Sequence, residues 1–288
     1  IMNIKKTKKK GMIDLKTNGI EEPKLKARLL MQFILNKPRQ YLLVYDNEPL
    51  TLRQEVDYFK AIKKMIKGVP LQHITHMQEF MKMNFYVNED VLIPRPDTEV
   101  LVEEVINIAK RINAKKILDL CTGSGAIAVS LAKYIEDSQI TAIDISKKAL
   151  NVAKKNAKNN EVENQITFIE SNLFEKVKKE KYDMIVSNPP YIKTEVIETL
   201  PEEVKNEPHL ALDGKEDGLY FYREIIIKSK VEGQNGNFLI YVFYILIIPI
   251  IRLYITKGVN PFCFYGFFFR CLFFSCCFLS RFLNGFFI

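Results

Sequence analysis

From residue 116 onward the chain alternates short apolar runs with helical stripes, and this alternation restricts the fold more than any other feature. "KILDLC" (Lys116–Cys121), "ITAIDI" (Ile140–Ile145), "ITFIES" (Ile166–Ser171) and "YDMIVSN" (Tyr182–Asn188) read as buried strands. Ala126–Tyr134, Lys147–Asn159 and Gly218–Val231 read as helices, and "GNFLIY" (Gly236–Tyr241) as a further strand. Such alternation builds a parallel sheet with right-handed crossovers, whose ligands bind beyond the strand carboxyl ends. The expected class is α/β with a Rossmann-like parallel sheet.

What precedes the sheet is helical. After Pro23, Leu25, Leu29, Leu30, Phe33 and Ile34 fall on one helical face that closes before Pro38. Val56, Phe59, Ile62, Met65 and Ile66 form a second stripe ending at Gly68 and Pro70, which reads as bundle core. His73 and His76 stand three apart without a third ligand, so they read as packing or surface histidines and no metal is expected. Lys5, Lys6, Lys8, Lys9 and Lys10 form a charge run without apolar partners, read as a solvated, disordered leader. The expected organisation is a leader over 1–11, a helical docking domain over 12–79, a hairpin linker over 80–95 and a sheet domain over 96–241. In "LIPRPDTE" (Leu92–Glu99) two prolines fix an extended entry before a helix starting near Thr98.

Composition divides the chain once more. Of 288 residues, 42 are Lys or Arg and 34 Asp or Glu, a net +8. Residues 238–288 hold four basic residues and no acid, so residues 1–237 carry only +4, too little for a strongly basic nucleic-acid groove. The same 51 residues hold 13 of the 20 Phe and four of the five Cys. Cys263, Cys271, Cys276 and Cys277 lack zinc-site spacing. Phe238–Ile251 approaches the roughly 20 residues of a membrane span only if Arg252 is tolerated, so an anchor is not favoured. Cys121 alone precedes the tail and no signal peptide is visible, so the cytoplasm is the expected compartment; a monomer is the expected state.

Candidate chemistry gathers at the strand ends. "DLCTGSGAIA" sets Gly123 and Gly125 at the first strand-to-helix turn, where backbone N–H groups can approach a ligand. Asp144 ends the second strand, 19 residues after Gly125, where a carboxylate can accept both ribose hydroxyls. Gly123-x-Gly125-x-x-Ala128 also fits the dinucleotide fingerprint, so this turn alone leaves a nicotinamide-dependent reductase open.

"SNPPY" (Ser187–Tyr191) narrows the choice. An amide or amino nitrogen has a delocalised lone pair, and methylating it requires acceptors for both N–H hydrogens. Asn188 offers a side-chain carbonyl and Pro189 a backbone carbonyl with no N–H of its own, while Tyr191 can stack on the planar group. Positioning of this kind supplies up to about 7–11 kcal/mol of a barrier. No nucleophilic side chain is needed when the donor is S-adenosylmethionine, whose sulfonium methyl is already activated.

These residues resemble the HemK-type protein-(glutamine-N5) methyltransferases, which modify the Gly-Gly-Gln glutamine of peptide chain release factors. Asn-Pro-Pro-Tyr is shared with adenine methyltransferases; the helical N-terminal domain, "GVPLQHIT" (Gly68–Thr75), "QEFM" (Gln78–Met81) and "VLIPRPDTE" (Val91–Glu99) carry the specific likeness. The resemblance covers about Met12–Tyr241 and implies a class I S-adenosylmethionine-dependent methyltransferase fold. It implies a cofactor pocket of Cys121, Thr122, Gly123, Ser124, Gly125, Asp144, Leu173 and Asn188. The substrate glutamine would lie against Asn188, Pro189, Pro190 and Tyr191, with Asn188, Pro189 and Tyr191 as the catalytic set. The implied partner is a release factor, with no direct nucleic acid required. Cys121 stands where glycine is usual and Asn172 where aspartate is usual.

After Tyr241 the family's acidic-Ile-Gly turn and its two further edge strands are not visible. Phe-rich, acid-free sequence in a Lys-, Ile- and Asn-rich chain is what out-of-frame translation of AT-rich DNA gives, so 242–288 reads as frameshifted, with low solubility and weak activity expected. The alternatives are adenine-N6 methylation of DNA or RNA through the same Asn188–Tyr191 chemistry, and a membrane-tethered nucleoside-binding module.

Overall fold

The computed structural model describes residues 2–177, 181–231, 238–242 and 251–255. It opens on five helices: α1 (Ile4–Thr17), α2 (Pro23–Leu35), α3 (Arg39–Val44), α4 (Leu52–Ile66) and α5 (Leu71–Thr75). Their shared core contains Leu15, Leu30, Met31, Leu42, Tyr58, Ile62 and Met65.

The lysine run is not a disordered leader. It lies in α1, whose buried face is Ile4, Thr7, Gly11 and Leu15, at helical spacing but with only two large apolar residues to advertise it. Asn3 caps the helix by accepting the Lys6 N–H at 2.9 Å, and the Leu50 N–H donates to the Met2 carbonyl at 3.1 Å. Gly11 lets Tyr58 approach, since a Cβ there would sit 2.5 Å from its hydroxyl oxygen. The expected stripes hold in part: Leu30, Ile62 and Met65 are buried, and Ile34, Phe59 and Ile66 pack against the same core. In α2 the buried residues are Ala27, Leu30 and Met31, while Leu29 and Phe33 are exposed; in α4 they are Tyr58, Ala61, Ile62 and Met65, while Val56 is exposed. Small residues and a tyrosine with a bonded hydroxyl occupy positions that hydropathy alone assigns to larger aliphatics.

A hairpin follows, β1 (Gln78–Phe80) antiparallel to β2 (Met83–Phe85), then α6 (Pro96–Ile112). The α/β unit continues with β3 (Lys116–Leu120), α7 (Ala126–Tyr134), β4 (Gln139–Asp144), α8 (Lys147–Asn159), β5 (Ile166–Glu170) and β6 (Met184–Ser187). Three short helices, α9 (Thr194–Ile197), α10 (Glu202–Lys205) and α11 (His209–Leu212), lead to α12 (Tyr220–Val231), β7 (Phe238–Val242) and β8 (Ile251–Ile255).

The sheet order is β5-β4-β3-β6-β7-β8, parallel from β5 to β7 with β8 antiparallel at the edge. Successive residues of β3 face opposite layers: Ile117 joins the core with α6 and α7, and Leu118 joins Tyr222 and Ile225 of α12. The strand order reverses between β3 and β6, which opens a crevice at their carboxyl ends.

β8 corrects the expectation that nothing beyond Tyr241 joins the sheet. The apolar, β-prone Ile251–Ile255 pairs with the edge that β7 would otherwise leave open. The rest of the 242–288 stretch, 243–250 and 256–288 with its four cysteines, lies outside the described residues. Among the described residues no helix is long and apolar enough to cross a membrane, and no three His, Cys, Asp or Glu side chains converge as a metal site.

Candidate active site

A cavity of about 340 Å³ opens at the carboxyl ends of β3, β4 and β6. Its floor is the turn between β3 and α7. Cys121 leaves the strand at φ 60°, a left-handed conformation that favours glycine and costs another residue roughly 1–2 kcal/mol. Gly123 (φ 54°) faces open space, with no atom within 4 Å of a Cβ built on it. Gly125 (φ 80°) serves packing instead: its Cβ would lie 3.0 Å from that of Ala153 in α8.

Asp144 shapes the second wall. Its Oδ2 accepts the Gly123 N–H at 2.8 Å and its Oδ1 the Ser146 N–H at 2.9 Å, so the carboxylate is locked to both neighbouring turns. Burial raises its pKa, while the N–H groups of Ser146, Gly123 and Ile145 pull it back. Beneath the turn, Asp119 is fully buried and accepts the Thr122 hydroxyl at 2.6 Å. Burial pushes its carboxyl up to about 7, against the Thr122 hydroxyl bond and the nearby Ala128 N–H, which favour the charged form. Burial and the nearby Asp144 and Asp119 push the Cys121 thiol up as well, so it is no thiolate nucleophile at neutral pH.

The third wall begins where β6 ends. Ser187 donates to the Leu120 carbonyl at 2.7 Å, and Asn188 then enters the cavity. Its Nδ2 donates to the Thr98 hydroxyl at 3.1 Å, and its Oδ1 is a buried acceptor with no partner. Pro189 and Pro190 are buried, and Pro190 lines the cavity. Behind them Gly214 and Gly218 press on the Tyr191 backbone; a Cβ on Gly214 would lie 2.6 Å from the Tyr191 Cα. The Gly214 N–H donates to the Ile192 carbonyl at 2.7 Å, and Thr194 donates to Asp213 at 2.6 Å, clasping the segment after Tyr191.

Of the residues expected from sequence, Cys121, Thr122, Gly123, Ser124, Asp144, Leu173, Asn188 and Pro190 share this cavity. Gly125, Pro189 and Tyr191 do not line it: Gly125 is turned to α8, and Tyr191 is partly buried against the Leu118–Tyr222 layer, which raises its pKa. Asn172 also lines the cavity and donates to Glu175 at 2.7 Å. His73 is buried, which lowers its pKa; the His76 ring stacks on Tyr86 with centroids 5.4 Å apart.

Sequence reasoning missed the residues that hold the third wall. "RPDTE" reaches three distant places. Arg95 pairs with Glu207 at 2.5 Å, Thr98 holds Asn188, and Glu99 accepts the Met81 N–H at 2.6 Å. Glu207 also accepts the Ile93 N–H at 2.9 Å, and its side chain is 2% exposed. In the sequence this segment shows itself only through Pro94 and Pro96, which fix an extended entry, and through the family likeness of "VLIPRPDTE"; neither says what Thr98 or Arg95 reaches.

The cavity's donor set fits S-adenosylmethionine: a locked carboxylate for ribose, open space over Gly123, an apolar wall including Ile145 and Leu173, and an orphaned buried acceptor on Asn188. Comparison with known proteins points the same way. Residues 96–207 match the methyltransferase small domain and residues 9–75 the PrmC N-terminal domain. The release factor glutamine methyltransferase of Clostridium acetobutylicum is 42% identical over 221 residues, 75% of this chain and 76% of that one. That of Moorella thermoacetica is 40% identical over 212 residues, 74% and 75% of the two chains. A bifunctional methyltransferase of Rickettsia typhi is 37% identical over 263 residues, and there the match spans 84% of this chain but 51% of the longer relative.

Proposed function

This chain belongs to the release factor glutamine methyltransferase family, and from that membership we propose that it methylates the side-chain amide nitrogen of the Gly-Gly-Gln glutamine in a peptide chain release factor. The observation that carries the reading is the unpartnered, buried Asn188 Oδ1 in the cavity. A buried acceptor without a donor costs about 1–3 kcal/mol unless a ligand supplies the N–H.

S-adenosylmethionine supplies an electrophilic methyl when bound. Asp144 would accept the ribose hydroxyls, and Cys121–Ser124, with Leu173, would enclose the rest of the adenosyl group. Asn188 Oδ1 and the Pro189 carbonyl would each accept one substrate N–H, which turns the nitrogen lone pair toward the donor. Pro190 and Tyr191 would shape the slot for the planar amide, Tyr191 through the backbone clasp with Gly214 and Gly218. No side chain here needs to form a covalent bond to substrate.

The test is transfer of radiolabelled methyl by the full chain to intact release factor, with a Gln-to-Ala loop variant as control. Label confined to the unaltered factor is expected. Equal label in both, or label entering an adenine oligonucleotide instead, overturns the glutamine assignment.

A further inference from the structure

An asparagine amide can face its site in two ways, and only one suits this chemistry. The carbonyl can receive a substrate N–H; the NH₂ group cannot. What selects the orientation is therefore part of the reaction, and it is absent from the Asn188–Tyr191 motif itself.

Thr98 supplies the hydroxyl that holds this amide by its NH₂ side. It lies in the first turn of α6, 4% exposed, and lines the same cavity. Its hydroxyl oxygen lies 3.1 Å from Asn188 Nδ2, and on the other side of the amide Oδ1 has no partner. A threonine hydroxyl can accept as well as donate; accepting here, it holds the NH₂ group and leaves Oδ1 to the substrate. The flanking residues brace Thr98: Arg95 is tied to Glu207, and Glu99 to the hairpin. Pro94 and Pro96 on either side of Arg95 limit the entry into the helix.

We propose that Thr98 is a positioning residue for methyl transfer: it accepts the Asn188 Nδ2–H and so presents Asn188 Oδ1 to the amide being methylated. This rests on the methyl-transfer reading of the site, and it extends the working constellation to a residue 90 positions upstream of Asn188.

Thr98→Val keeps the shape and removes the hydroxyl; Thr98→Ser keeps the hydroxyl. In the full chain, Thr98→Val should lower kcat toward release factor about tenfold, the size of one oriented hydrogen bond, with cofactor affinity changed less than about twofold. Thr98→Ser should restore kcat to within about threefold. A second readout needs no turnover: the Asn188 side-chain ¹⁵NH₂ signals, assigned by their loss in Asn188→Asp. Their amide hydrogens should exchange faster in Thr98→Val and stay protected in Thr98→Ser. Unchanged kcat and unchanged exchange in Thr98→Val overturn the proposal. So does a Thr98→Ser variant as impaired as Thr98→Val, because packing would then explain the loss. If the unaltered chain labels no release factor while the Asn188 signals still respond to Thr98→Val, the substrate assignment fails and the contact stands.

Discussion

The two sides of the cavity are built by different means. The side facing β3 and β4 is set largely by backbone: glycine turns, strand ends and one carboxylate whose partners are the N–H groups of neighbouring turns, with Asn156 of α8 holding the Ser124 carbonyl from behind. The side facing β6 is held by side chains from remote parts of the chain. Thr122 reaches three residues to Asp119, and Gly123 reaches 21 to Asp144. By contrast, Asn188 reaches 90 to Thr98, and Ile93 114 to Glu207. Local backbone geometry can bind a ligand common to many proteins, whereas orienting one particular amide takes convergence from several elements.

The sharpest way to break this division is Asn188→Ala. It should lower methyl transfer on the order of 100-fold to 1000-fold, the range for losing one preorganised polar contact to the reacting group. Cofactor affinity by calorimetry should change only a few-fold. If affinity falls in step with turnover, the two sides are not separable. Next comes Glu207→Ala, which leaves Arg95 and the Ile93 N–H without their shared acceptor. Breaking a buried pair costs about 3–5 kcal/mol, and the partial exposure of Arg95 places the expected loss near the lower end, about 3 kcal/mol in urea unfolding.

The turn glycines sharpen the backbone side. Gly125→Ala combines a positive φ with a 3.0 Å approach to Ala153, so it should destabilise the fold by about 2 kcal/mol. Gly123→Ala meets no protein atom and should cost about 1 kcal/mol in stability, yet weaken cofactor binding more than Gly125→Ala does. Equal affinities in the two variants would contradict that assignment.

The smallest effect is in pH. The folded-state pKa of Asp119, about 7, lies above its unfolded value of 3.8, so the native state holds the extra proton between them. This group's contribution to stability therefore grows as pH falls through 7 and is lost as pH rises. Between pH 8 and pH 6 the native chain should gain on the order of 1 kcal/mol relative to Asp119→Asn. Parallel stability curves for the two proteins would place the Asp119 titration elsewhere.

The same contrast explains what could be read from sequence. The β3 turn, Asp144 and the Asn188–Tyr191 strand end announce themselves because each is set by a few adjacent residues in a periodic pattern. Thr98 and Glu207 do not, because their partners are unknowable until the chain has folded. α1 hid for another reason: Thr7 and Gly11 occupy half its buried face, and the lysines around them dominate any hydropathy reading. The edge strand β8 was concealed by composition, since Ile251–Ile255 sits in a stretch whose overall bias resembles no ordinary domain.

The hairpin segment has a bearing on how the chain can be divided. Phe80, Met83 and Phe85 are buried in the core beneath the sheet. Asn156 of α8 accepts the Tyr86 N–H at 2.7 Å and donates at 2.9 Å to both the Tyr86 and Ser124 carbonyls. The interval between the two matched family domains, 76–95, is thus physically part of the second one. A fragment beginning at Pro96 would open a hole in its own core and leave Asn156 without the Tyr86 backbone it grips. One beginning before Gln78 keeps that anchorage, so the seam of the molecule as a portable part lies nearly twenty residues upstream of where family likeness would cut it.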